Sequence, residues 1–342
     1  MEKINWGILG LGQIAQKFSE GFSETSNAKL LAIASKNIDK LKNFKDQFKV
    51  EEKYSFNRYE DLINCDEVDI IYIALPNSLH HYWSIQCIKN DKNILVEKPA
   101  TLNFEEIKDI EKNLQNKKVF FGEAFMYRYL PQIELVLDII KNNEIGNPVF
   151  MKSSFGINLL TKKKFFFITK KKKINPKNRL FNKFLGGGCI LDLGCYPMSF
   201  SLLIGSLLTK LKNINLKISN IQKEIGETDI DIDAYAEIFF EGGFHSQIRS
   251  SFKKNLGNKS EIICEKGKII IDDTWLGCSN IIKINDNKHK LIETKNNKNI
   301  YSHQIQNISK NILNGFFQPQ YPGMSFEETL LNMKKINEWL NA

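Results

Sequence analysis

The chain is 342 residues long, 42% hydrophobic and 25% charged; these values exclude a disordered tail protein, a collagen-like repeat and a small disulfide scaffold. At about 100–200 residues per domain, two domains are expected. A net charge of +9 invites a nucleic-acid or membrane partner, but only four basic residues are Arg (Arg58, Arg128, Arg179, Arg249) against 44 Lys. Phosphate and guanine readers rely on the bidentate Arg fork, so solvated Lys is expected here, with no nucleic acid and no membrane as partner.

In chain order, residues 4–9 read as a buried strand and residues 13–22 as a helix with Ile14, Phe18 and Phe22 on one face. A strand over 30–34 and a helix over 39–48 follow. Residues 68–75 form a continuous apolar run, as expected of a parallel strand covered on both faces. Helices over 79–89 and 104–114 alternate with strands over 93–96 and 119–121. This alternation predicts a doubly wound parallel sheet, an α/β domain over residues 1–124.

From residue 125 the pattern changes, and residues 125–342 are expected to form an α+β domain. A helix over 131–141 and a long strand over 148–159 precede a Lys/Phe-rich insertion at 162–173, read as a hairpin. Gly186, Gly187 and Gly188 open another helix. Extended segments at 216–225, 234–241, 244–252, 259–264, 268–271 and 280–285 predict a large, mostly antiparallel sheet. Its open face is the kind that homodimers or homotetramers share. Helices over 301–314 and 325–340 close the chain.

No run of about 20 apolar residues escapes interruption by charge, and the first strand starts too early for a signal peptide. Cys65, Cys87, Cys189, Cys195, Cys264 and Cys278 form no CxxC pair. With five scattered histidines they offer no zinc spacing, so no metal is expected. Reduced thiols in a cytoplasmic protein are the natural reading.

The run Gly10-Leu11-Gly12-Gln13-Ile14-Ala15 joins the first strand to the first helix. Gly10 permits the tight turn, Gly12 lets the backbone approach a pyrophosphate, and Ala15 lets the helix sit close to the sheet. An acid binding a ribose 2′-hydroxyl is expected about 20 residues on, at the end of the second strand. That end reads Ala34-Ser35-Lys36-Asn37. A hydroxyl and a cation without a carboxylate suit a 2′-phosphate, which favours NADP(H) and leaves NAD(H) possible. The competing reading makes Ser35 a helix cap and Lys36 a solvated side chain.

Lys98 follows the strand over 93–96, at the edge where open α/β sheets bind ligands. Asp192 and Tyr196 are spaced i, i+4 and share one helical face. Oxidising an alcohol by hydride transfer needs a base for the hydroxyl proton and a cation to favour the alkoxide. A lysine ammonium close to a phenol lowers its pKa enough for acid/base work. The plainer reading is a surface Lys, a capping Asp and a half-buried Tyr.

Several of these motifs occur together. They are Gly10 to Ala15, Pro76-Asn77-Ser78-Leu79-His80, Glu97-Lys98-Pro99, Glu123-Ala124-Phe125-Met126-Tyr127-Arg128, Arg179-Leu180-Phe181, and the run from Gly186 to Pro197. In that order the chain resembles the Gfo/Idh/MocA family, the glucose–fructose oxidoreductase and inositol dehydrogenase group. The nearest branch is that of dimeric dihydrodiol dehydrogenases and NADP-dependent xylose or other aldose dehydrogenases. The resemblance implies that Lys98 polarises the reacting oxygen, Asp192 orients substrate hydroxyls and Tyr196 is the acid/base. It implies cofactor contacts from Gly10, Gly12, Gln13, Ile14, Ser35, Lys36, Pro76, Asn77, His80, Glu97 and Lys98.

Arg128 and Arg179 are candidate substrate contacts, each weighed against a structural ion pair; His81 has no such warrant. Inositol dehydrogenase-like members carry His where this chain has Tyr196, and the dihydrodiol branch often has Trp where this chain has Met126, so a sugar gains support. The expected function is an NADP-dependent oxidoreductase acting on a sugar, diol or related small hydroxyl compound. A catalytically silent NAD(P)- or sugar-sensing protein on the same fold is the alternative.

Overall fold

The computed structural model describes residues 3–165, 168–208, 215–277, 280–285, 288–294 and 298–342. Packing divides the chain into two units, Met1–Tyr129 with Asn297–Leu330, and Leu130–Asn296 with Leu331–Ala342. A boundary between residues 124 and 125 does not include this return of the chain to the first unit.

The first unit holds six parallel strands: β1 (Ile4–Leu9), β2 (Ala28–Ala34), β3 (Ser55–Phe56), β4 (Ile70–Ile73), β5 (Asn93–Val96) and β6 (Phe121–Glu123). Their order is β3-β2-β1-β4-β5-β6, the doubly wound arrangement with its switch point between β1 and β4. Helices α1 (Gln13–Glu20), α2 (Ile38–Phe48), α3 (Tyr59–Ile63), α4 (His80–Lys89) and α5 (Phe104–Leu114) are the crossovers. All four residues of β4 are fully buried, as a strand covered on both faces requires. Phe18 of α1 stacks on Tyr72 of β4 at 3.8 Å. Asn37 and Asn103 cap α2 and α5, each accepting the N–H three residues on. Helix α1 stops at Glu20 and tightens into a 3-10 turn over Gly21–Glu24, short of the expected residue 22.

In the second unit, α6 (Pro131–Lys141) is followed by β7 (Pro148–Gly156) and the hairpin β8 (Thr161–Phe165) with β9 (Ile168–Lys171). The expected Lys/Phe hairpin is formed by these two strands; Phe166 and Phe167 at its centre lie outside the described residues. A π-helical turn over Ile190–Gly194 leads into α7 (Cys195–Gly205). The strands β10 (Leu216–Ile225), β11 (Asp231–Phe240), β12 (His245–Ser251), β13 (Ser260–Cys264), β14 (Gly267–Ile271), β15 (Ile281–Asn285) and β16 (Lys288–Ile292) complete the sheet. The remaining helices are α8 (Ile300–Leu313) and α9 (Phe326–Asn341).

The sheet order is β10-β11-β12-β7-β13-β14-β15-β16, with β12 and β7 parallel and every other neighbouring pair antiparallel. Its two faces differ sharply. Cross-strand partners Ile238, Ser246, Met151, Ile262 and Ile269 form one fully buried row. The adjacent row on the opposite face runs through Phe239, His245, Phe150 and Ile263, with Phe239 41% and Ile263 36% exposed. Alternate residues of a strand point to opposite faces, so one face carries the core and the other stays open.

Helical residues 183–205 are long and apolar enough to cross a membrane, but 89% of that window is buried inside the protein. The stretch is a core helix by its surroundings. Cys87, Cys189, Cys195 and Cys264 are buried free thiols and Cys65 is half-buried; Cys278 lies outside the described residues.

Candidate active site

The loop from β1 to α1 carries two glycines with different demands. Gly10 has φ +89°, and a Cβ there would lie 2.6 Å from Leu75 Cδ2 and 2.8 Å from the Ala74 carbonyl oxygen. Only glycine fits such a turn. A Cβ on Gly12 would meet nothing within 4 Å. Gly12 opens α1 with no side-chain cap and no acid in the first turn, while Ala15 is fully buried against the sheet. The open space over Gly12 and the uncapped N–H groups of α1 fit a dinucleotide pyrophosphate.

At the end of β2, Ser35 is buried and its Oγ accepts the Asn37 N–H at 3.1 Å. Asn37, rather than Ser35, caps α2. Lys36 is exposed, with Nζ 5.4 Å from the Tyr59 ring centroid. Pro76 is exposed after β4, and Asn77 is buried in the 3-10 turn that follows.

His80 departs from its expected role of touching cofactor or substrate. It is fully buried, with Nδ1 2.8 Å from the Pro99 carbonyl oxygen and Nε2 2.8 Å from that of Leu75. It ties the loop after β4 to the loop after β5. Glu97 is also turned inward, where its carboxylate accepts the Tyr72 hydroxyl and, at 3.1 Å, the Lys98 N–H. Lys98 itself is half-buried at the end of β5.

Arg128 departs from the expected substrate contact in the same way. Its guanidinium is fully buried, donates to Glu328 at 2.9 Å and reaches the Pro322 carbonyl at 3.4 Å. Burial opposes its charge, but the adjacent Glu328 carboxylate more than offsets this and raises its pKa. It is an internal ion pair. Met126, beside it, is buried as well.

In the second unit the structure brings Arg179 and Asp192 together at 3.2 Å. Asp192 stands in the π-helical turn and Tyr196 in the first turn of α7, so their i, i+4 spacing crosses a change of helix type rather than a regular α-helix. The Tyr196 ring is buried between Phe155 and Trp275, with centroids at 5.3 and 5.7 Å.

Two supporting carboxylates escaped the sequence reading. Asp231 of β11 accepts the Ile190 N–H at 2.6 Å, at the start of the turn that carries Asp192. A Cβ on Gly188 would lie 2.4 Å from its Oδ1, so glycine is required there as well. Burial pushes the Asp231 carboxyl above the ordinary carboxylate range, although the Ile190 N–H works the other way. Glu123, at the end of β6, accepts the Ala100 N–H at 2.9 Å. The available signal for Glu123 was a lone acid in an apolar run, Phe120-Phe121-Gly122-Glu123-Ala124; Asp231 alternates with Asp229 and Asp233, and nothing in the sequence sets it apart from them. Among the described residues no three His, Cys, Asp or Glu side chains cluster as metal ligands.

A six-stranded parallel sheet with a glycine cradle at its switch point defines a Rossmann dinucleotide-binding protein, here joined to a large open-faced sheet domain. Residues 4–125 match the oxidoreductase family with an NAD-binding Rossmann fold, and residues 133–270 match the Gfo/Idh/MocA C-terminal domain. The chain belongs to the Gfo/Idh/MocA family of oxidoreductases. It is 26% identical to a trans-1,2-dihydrobenzene-1,2-diol dehydrogenase of Xenopus tropicalis over 98% of this chain and 96% of that one. The crystal structure of an aldose-aldose oxidoreductase from Caulobacter crescentus, complexed with glycerol, superposes with a TM-score of 0.84 at 21% identity, covering 99% and 96% of the two chains. That of a 3-ketoreductase from Actinomadura kijaniata, in complex with NADP and TDP-benzene, gives 0.80 at 20% identity, covering 98% and 96%.

Proposed function

We propose that the protein is an NADP-dependent dehydrogenase that oxidises or re-forms a CH–OH group of a sugar or related small hydroxyl compound. The glycine cradle carries this reading: Gly10 is packed shut and Gly12 faces open space at an uncapped helix N-terminus. Gly12, Gln13 and Ile14 would hold the pyrophosphate. Exposed Lys36, at a strand end without a carboxylate, would hold the 2′-phosphate, and NAD(H) remains an admissible substitute. Bound nicotinamide supplies the hydride acceptor or donor.

The protein's own groups handle the proton. Tyr196 Oη takes the proton of the substrate hydroxyl during oxidation and returns it during reduction. The Lys98 ammonium favours the phenolate and the developing alkoxide. The Asp192 carboxylate accepts hydrogen bonds from neighbouring substrate hydroxyls, and Arg179 fixes its orientation through their ion pair. Sugar and diol both suit these groups; the relatives named above act on a diol and on aldoses. We place the protein in the cytoplasm and expect a homodimer or homotetramer formed through the open sheet face.

Incubation with NADP⁺ and a panel of aldoses and vicinal diols tests the reading by the appearance of reduced nicotinamide. Binding of NADP⁺ without turnover on any of them overturns it in favour of a sensing protein. Tyr196→Phe is expected to lower kcat about 10²- to 10⁴-fold while leaving cofactor affinity nearly constant. Equal losses in both refute the role given to Tyr196.

A further inference from the structure

The turn that carries Lys98 is held from beneath by three buried side chains on three consecutive residues. Glu97 accepts the Lys98 N–H, His80 meets the Pro99 carbonyl, and Glu123 accepts the Ala100 N–H. Glu97 is fixed in turn by the Tyr72 hydroxyl, and His80 by the Leu75 carbonyl. Glu123 comes from a different strand than Lys98, so its contact ties the turn after β5 to the end of β6. Thr329, Arg128 and Glu97 are close enough to act on its carboxylate.

We propose that Glu123 is a positioning residue for Lys98, acting through the Ala100 N–H. This rests on the role given to Lys98 above. The Lys98 side chain springs from this turn, so the position of the turn's backbone sets where its ammonium can reach. Displacing a reacting group by about 1 Å costs on the order of 10²-fold in rate. A buried acceptor that pins the backbone two residues away sets this geometry without touching the substrate.

Two variants separate the acceptor from the mere presence of a side chain. Glu123→Gln keeps an oxygen for the Ala100 N–H, whereas Glu123→Leu fills the space without one. E123L is expected to lower kcat about 10²-fold and to change the dissociation constant for NADP⁺ by less than about threefold. E123Q is expected to keep at least about a third of kcat. Hydrogen exchange of the Ala100 amide supplies a readout independent of turnover: protected in the native protein and in E123Q, fast in E123L.

An E123L enzyme with native kcat, an E123Q enzyme as slow as E123L, or an Ala100 amide that exchanges like a solvent-exposed one overturns the proposal. If E123L does not fold, E123Q turnover and native-protein exchange decide by the same criteria. Lys98→Ala in the same assay tests the underlying reading. Normal turnover by K98A removes the role of Lys98, whereas an inactive K98A beside an active E123L removes only that of Glu123.

Discussion

At the scale of single residues, the two glycines of the cradle make opposite predictions. Gly10→Ala forces a Cβ into the Ala74 backbone at positive φ, so it destabilises the folded protein by more than about 1 kcal/mol, seen as a lower urea midpoint. Gly12→Ala adds a methyl that touches nothing in the protein and leaves the midpoint nearly unchanged. It does fill the space over the helix N-terminus, so NADP⁺ affinity falls by tenfold or more, equivalent to about 1.4 kcal/mol. A G12A protein that binds NADP⁺ normally refutes the cradle. The geometry of this turn was legible because the turn is local, all of it within a few residues. Arg128 and His80 were less legible for the opposite reason: the partner of Arg128 is Glu328, 200 positions on, and His80 bonds the carbonyl of Pro99, 19 positions on.

At the scale of elements, periodicity located what is long and regular. The apolar run over 68–75 does contain β4, and the acid-rich stretch over 104–114 is α5. The two-residue strand β3 and the five-residue helix α3 were missed, since neither is long enough to display a period. Periodicity also cannot report the π-helical turn at Ile190–Gly194, because its sequence, Ile-Leu-Asp-Leu-Gly, is equally compatible with an α-helix. The acceptor for its first N–H comes from β11, where the Asp231 carboxylate takes the place of a helix cap. Each unit thus uses the same device: a buried carboxylate from another strand fixes a backbone N–H, Asp231 that of Ile190 and Glu123 that of Ala100.

At the scale of the whole molecule, that device has a cost that depends on pH. Burial raises the Glu123 pKa from 4.5 to about 7, with the Ala100 N–H, Thr329 and Arg128 opposing the shift. Between these values the folded protein holds a proton that the unfolded chain has released, so the contribution of this group to stability declines as pH rises from 4.5 to 7. Its full size is about 3 kcal/mol. Glu123→Gln removes the titration, so urea unfolding should show the Gln variant gaining on the native protein across that window; a constant difference between the two refutes the assigned shift. The charge of +9 carries less meaning than it first suggested, since Lys36 and Lys98 are the only lysines assigned a specific role. The open sheet face is more informative. Phe239 stacks on His245 at 4.2 Å with planes 9° apart, and Phe150 packs on the same imidazole at 5.3 Å, giving an aromatic row beside exposed Ile263. Apolar rows on an open sheet are characteristic of surfaces that pair with a second copy. Sedimentation should therefore find the native protein as a dimer or tetramer, and Phe239→Asp combined with Ile263→Asp should reduce its mass with an unchanged far-ultraviolet dichroism spectrum. A native monomer at micromolar concentration, or a double variant of undiminished mass, removes this face as the interface.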